Sequence, residues 1–152
     1  MNKELDLSTF GGNSYLLEEF HRQGVRFLVI GGLAVQFYAP EREADDLDLM
    51  LDPAPDNAVR VLASFVALRL NSSFDASALQ RPKAQIQLKQ HHYADLLTPD
   101  SDINFAQEWE NASACRVNGV PVRVASRELL IRMQSRRKDR KHEGDLKLLE
   151  PK

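Results

Sequence analysis

Cysteine and long apolar runs are scarce in this 152-residue chain, and neither charge sign is in excess; each of these gaps excludes something. A single cysteine, Cys115, cannot build an internal disulfide framework and suits a reducing compartment. No motif surrounds it, so a small buried apolar role is expected rather than a nucleophile. No apolar run approaches the roughly 20 residues of a membrane-spanning helix. The opening M-N-K-E-L-D carries acids where a secretory signal needs a basic start and an apolar core, so the expected location is the cytoplasm. Twenty Lys and Arg against 22 Asp and Glu leave a formal net charge of −2, which gives no bulk electrostatic case for nucleic-acid or membrane binding. His91 and His92 are adjacent, point to opposite faces of any strand, and have no Cys or His partner at metal-ligand spacing.

What is present is the make-up of an ordinary globular protein, 43% hydrophobic and 28% charged, and the length suits one domain spanning 1–152. Residues 1–12 end in Gly11-Gly12 and read as an irregular arm. Asn13 or Ser14 is the expected cap of a helix that Gly24 stops. Residues 25–30 read as a buried strand, 33–38 as one or two helical turns closed by Pro40, and 46–51 as a strand broken at Pro53. Asp56 is the expected cap of a helix over 57–68 with Val59, Leu62, Phe65 and Val66 on its inner face. Residues 70–83 read as loop, with a helical turn after Asp75. Two strands at 84–88 and 92–97 are expected to pair, and 103–109 reads as a short helix packing Phe105 and Trp109. Asn118-Gly119 between apolar flanks predicts a hairpin over 115–124, with Pro121 at an edge. Ser126 is the expected cap of a helix carrying Leu129, Leu130 and Met133, and C-terminal helices fill 127–150. Strands gather in the middle and helices flank them, so the class is α/β or α+β with a short, mixed, twisted sheet.

Residues 29–52 organise the rest: V-I-G-G-L-A-V-Q-F-Y-A-P-E-R-E-A-D-D-L-D-L-M-L-D. A strand enters a Gly-Gly turn and a short helix, and a second strand then carries Asp46 and Asp48. Side chains two apart on a strand share a face, so the two carboxylates aim together while Leu47, Leu49 and Leu51 face a core. Paired carboxylates repel unless a cation lies between them, and hard oxygen donors favour magnesium or manganese. Glycines between a strand and a helix let backbone N–H groups approach a phosphate. Taken alone, Gly31-Gly32 is equally a tight turn, and solvent-facing acids of an edge strand are the alternative for Asp46 and Asp48. The Rossmann and Walker glycine patterns are absent.

Thirteen residues separate Gly32 from Asp46, and an apolar residue follows each acid. In this combination the stretch resembles the nucleotidyltransferase superfamily typified by DNA polymerase β, whose motif is Gly-Gly or Gly-Ser, a spacer, and Asp-apolar-Asp/Glu. More narrowly it is similar to the small bacterial nucleotidyltransferases that include abortive-infection toxin components. There the loop reads Arg-x-Thr-x-Asp-x-Asp; Arg42, Asp46 and Asp48 match, and Ala44 replaces the threonine. The helix after Ser126 usually carries a lysine near Met133, which this chain lacks, and Arg137-Lys138-Asp139-Arg140 is similar to the family's Arg-x-Lys-Asp segment.

The resemblance implies a single-domain nucleotidyltransferase fold and a third carboxylate, Asp95, on a strand beside the first acidic one. Asp46, Asp48 and Asp95 would then be the catalytic and metal-binding set for two Mg²⁺ or Mn²⁺ ions, with Asp95 the candidate general base. Gly31, Gly32, Arg42 and Lys138 are the implied phosphate contacts. The implied reaction moves a nucleotidyl group from a nucleoside triphosphate to a hydroxyl on RNA, a protein or a small molecule. A partner subunit, or a place in a toxin–antitoxin or phage-defence pair, goes with the narrower group. Two other classes stay open: an inactive binding or antidote module on the same fold, and a nucleic-acid-binding regulator using Arg132, Arg136, Arg137, Lys138, Arg140 and Lys141.

Overall fold

The protein is described here by a computed structural model covering residues 3–7, 10–70, 75–88, 92–135 and 140–150. Its strands are β1 (Lys3–Leu5), β2 (Phe27–Ile30), β3 (Leu47–Leu51), β4 (Gln85–Leu88), β5 (Ala94–Leu97), β6 (Ser113–Val117) and β7 (Val120–Val124). They form one mixed sheet in the order β1-β6-β7-β2-β3-β5-β4. Three neighbouring pairs, β1/β6, β7/β2 and β3/β5, run parallel; the other three run antiparallel. The helices are α1 (Phe10–Gln23), α2 (Gly31–Tyr38), α3 (Pro55–Ala67), α4 (Phe105–Asn111), α5 (Arg127–Gln134) and α6 (Arg140–Leu149). None among the described residues is long and apolar enough to cross a membrane.

The middle strands are buried on both faces, which is why β2 reads F-L-V-I without alternation. On one face Phe27 meets Phe20 of α1 at 5.8 Å between ring centroids, and Phe20 meets Phe65 of α3 at 6.5 Å. On the other face lie Leu28, Met50 and Ile30, all buried, and next to them Asp48. There α2 packs against α5 and α6. The hairpin is as the sequence predicts: Asn118 (φ 46°) and Gly119 (φ 85°) both take the left-handed backbone that a two-residue turn between twisted strands requires. Ser126 caps α5 by accepting a hydrogen bond from the Leu129 N–H at 3.1 Å.

Several expectations need correction. The described residues of the expected 1–12 arm are ordered into elements: β1 pairs in register with β6, Leu5 and Leu7 are buried, and α1 begins at Phe10 with both glycines inside it. Gly12 belongs there because the Tyr93 ring occupies the place of its missing side chain, 2.4 Å from where a Cβ would stand. Asn13 and Ser14 therefore lie inside α1 and neither is its cap. Pro55 starts α3 and Ala54 precedes it, so Asp56 sits in the first turn and binds Arg26 rather than capping. The inner face of α3 is Asn57, Ala58, Val61, Ser64 and Phe65; Val59 and Val66 are exposed. Pro121 lies in an interior strand, yet β7 and β2 are bridged only at Val29–Val124, so the missing N–H costs no ladder bond.

Candidate active site

The site is built where β2 ends and α2 begins. Ile30 is still extended, and Gly31 turns the chain straight into the helix with φ 69°. That conformation costs an L side chain about 1–2 kcal/mol, and space forbids one as well. A Cβ on Gly31 would stand 2.2 Å from the Asp48 carboxylate oxygen Oδ2. The first glycine therefore does two things: it permits the turn and admits a carboxylate against the head of α2.

Asp48 reaches that place because β3 pairs with β2 in the register Ile30–Asp48. Across the next ladder Asp48 is the direct partner of Asp95 on β5. Partners in adjacent strands share a face, so the two half-buried acids stand side by side. Asp46 is different. The strand begins at Leu47, and Asp46 lies in the bend before it, exposed. Strand alternation therefore does not fix its direction, and among the described residues no three His, Cys, Asp or Glu side chains close round one point. The Asp48–Asp95 pair still fits a magnesium-type ion. Such ions are ordinarily held by one or two carboxylates, with water and phosphate oxygens completing the shell.

Arg42 lies at the second glycine. Its guanidinium rests on Gly32, where a Cβ would come within 2.7 Å of Nη2 and 3.0 Å of Cζ. The loop carrying it is tied to α2, since the Arg42 N–H donates to the Ala39 carbonyl at 2.9 Å and Gln36 Nε2 donates to the Arg42 carbonyl at 3.0 Å. Sequence reasoning missed the partner on the other side. Arg42 Nε donates to Asp145 Oδ1 of α6 at 2.8 Å, and Nη1 donates to the Glu43 carbonyl. The pair is largely dry, with side-chain exposures of 18% and 5%. A cation at a helix N-terminus opposes the helix dipole, and the Asp145 carboxylate offsets that cost. Nothing local marks Asp145, because its partner is 103 positions away.

Of the remaining sequence candidates, Lys138 lies outside the described residues, as do His91, Arg136 and Arg137. Ala44, within the 41–45 loop, is buried. Met133, where a lysine was expected, lines a cavity of about 340 Å³ with Leu97, Ile103, Lys83 and Gln85. Beside the Arg42 loop opens a larger groove of about 1330 Å³ whose lining includes Glu4, Asp6, Glu41, Glu43 and Asp45.

No family model matches the sequence, and no curated protein matches it. Solved structures do. The lincosamide antibiotic adenylyltransferase LnuA, in its lincomycin-bound crystal structure, superposes with a TM-score of 0.58 at 15% identity, over 90% of this chain and 92% of that one. An antigenic nucleotidyltransferase-like protein from Paracoccidioides brasiliensis gives a TM-score of 0.49 at 16% identity, over 93% of this chain and 73% of that one. The chain has the nucleotidyltransferase fold, as its glycine turn and acidic strand suggested.

Proposed function

We propose that the protein transfers a nucleotidyl group from a nucleoside triphosphate to a hydroxyl of a small-molecule acceptor and releases pyrophosphate. The observation that carries the reading is the register pair Asp48–Asp95 set against a glycine whose missing side chain makes room for a carboxylate. Asp48 and Asp95, with Asp46 in the bend just before β3, would hold a divalent magnesium ion together with the triphosphate. Bound there, magnesium neutralises the phosphate charge and lowers the pKa of the attacking hydroxyl. Gly31 and Gly32 present the backbone N–H groups at the head of α2 to the phosphates, and Arg42 adds a fixed positive charge beside them. Asp95 takes the proton of the acceptor hydroxyl.

Two facts support a small acceptor over RNA. The groove beside the Arg42 loop is acidic, which repels a polyanion. The similarly sized neighbour LnuA is a lincosamide adenylyltransferase seen with lincomycin bound. The test is incubation with α-labelled triphosphates, Mg²⁺ and a library of hydroxylated metabolites and antibiotics, scoring labelled small-molecule product. Label appearing only in RNA or protein would overturn the acceptor class. A second reading, nucleotide binding without transfer, is favoured by one observation: Arg42 is already engaged by Asp145. Magnesium-dependent nucleotide binding with no labelled product from any fraction would select it.

A further inference from the structure

Met133, Leu97 and Ile103 help to line an open pocket of about 340 Å³, within the range that suits a small organic molecule, and nothing in the reaction so far uses it. Its position is fixed by the sheet. Across the strands the order is β2, β3, β5, β4, so the glycine turn stands on one side of Asp48 and Asp95 on the other. In-line displacement at phosphorus sets the nucleophile and the leaving pyrophosphate on opposite sides of the transferred group. With the pyrophosphate toward Gly31, Gly32 and Arg42, the hydroxyl has to arrive from the side of β5 and β4. Leu97 lies two residues beyond Asp95 on the same face of β5, about 7 Å along the strand. Its ladder partner is Gln85 on β4, and both line the cavity.

We propose that this cavity is the acceptor subsite, taking the apolar body of a small hydroxylated molecule while its hydroxyl reaches Asp95. The assignment rests on the nucleotidyl-transfer reading. Apolar side chains line part of it: half-buried Met133 of α5, half-buried Leu97 of β5, and buried Ile103. Polar groups line the rest: Lys83 and Gln85 at β4, and Thr98 and Asp100 in the segment after β5. That division matches a molecule with an apolar body and hydrogen-bonding edges. Methionine's unbranched, flexible side chain lets the wall fit an irregular ligand. In the transfer the acceptor oxygen bonds to the α-phosphorus, the bond from that phosphorus to the bridging oxygen of pyrophosphate breaks, and the hydroxyl proton passes to the Asp95 carboxylate.

The experiment is a methyl-labelled NMR titration of the full chain with two probes. The first is Mg²⁺ with α,β-methylene-ATP, the second trans-1,4-cyclohexanediol added to that complex. The nucleotide is expected to perturb residues around the glycine turn and the acid pair, and the diol to shift the Leu97, Ile103 and Met133 methyls saturably. Met133→Trp, which fills the cavity, is expected to weaken the diol at least tenfold and leave nucleotide affinity unchanged. Met133→Lys, which keeps the volume but removes the apolar wall, does the same should the tryptophan variant not fold. Nucleotide shifts without diol shifts at the cavity overturn the acceptor subsite alone. Nucleotide shifts centred on those three methyls overturn it too, by making the cavity a base pocket. Absence of any nucleotide shift overturns the transfer reading and the acceptor assignment with it.

Discussion

Replacing Gly31 by alanine separates the two roles of the glycine turn. The backbone at Gly31 has φ 69°, and forcing an L residue into it costs about 1–2 kcal/mol. The new Cβ would also lie 2.2 Å from Asp48 Oδ2 and 3.0 Å from Asp48 Cβ, so the carboxylate has to rotate out of its place by more than an ångström. Together these give a loss of about 2–3 kcal/mol, which for a chain of this size lowers the melting temperature by roughly 5–10 °C. Gly32→Ala is the control. Gly32 has no positive φ, and the nearest atoms are the far end of the Arg42 side chain. Alanine's better helix propensity, about 1 kcal/mol, offsets the cost of moving that end. Urea denaturation of both variants, read at unchanged m-value, should show Gly31→Ala destabilised and Gly32→Ala within about 1 kcal/mol of the parent. Both should lose triphosphate affinity, the first through Asp48 and the second through Arg42. A Gly31→Ala protein as stable as the parent would refute the argument that this turn is built around a carboxylate.

Asp145→Ala leaves the Arg42 guanidinium mostly buried without its anion, at a cost of about 3 kcal/mol, and should weaken triphosphate binding at least tenfold. The double change Arg42→Met with Asp145→Leu should restore most of the stability but none of the affinity, as thermal melts with and without nucleotide would show. Ser126→Ala should cost about 1 kcal/mol by removing the cap of α5, measurable by urea denaturation. At low pH the exposed Asp56 matters. Hydrogen bonds from Arg26 hold its carboxyl below the ordinary aspartate range, so the unfolded chain binds more protons there. Its contribution is present above about pH 4 and is lost as pH falls below the folded-state value. Asp56→Asn should flatten that acid limb of the stability profile, and high salt should shrink the difference between the two proteins.

The parts of the site that lie within one short stretch were legible in the sequence. Gly31, Asp48 and the leucines of β3 carry their geometry in local periodicity, whereas Asp95 was implied by the family resemblance and not by any pattern of its own. The Asn118-Gly119 turn and the Ser126 cap were legible for the same reason: each is a contact over two or three residues. What could not be read depends on residues far apart. Asp145 looks like any acid on a helix surface until α6 folds across α2. Gly11 and Gly12 look like helix breakers until the Tyr93 ring claims the space beside one of them. Asp46 shows the limit of alternation itself, since a period of two assigns a face only to residues inside the strand, and β3 begins one residue later. Met133 read as a missing cation, whereas it lines a mixed pocket with Leu97, Ile103, Lys83 and Gln85 that only the fold assembles.

The central claim is that Asp48 and Asp95 act with a divalent ion on a nucleoside triphosphate. Calorimetric titration of the protein with α,β-methylene-ATP, with and without Mg²⁺, tests it most directly when repeated on Asp48→Asn. Binding that requires Mg²⁺ in the parent and disappears in a variant whose cooperative thermal melt in chelator shows it to be folded is the expected result. Nucleotide binding that ignores Mg²⁺, or that survives in Asp48→Asn, would contradict it.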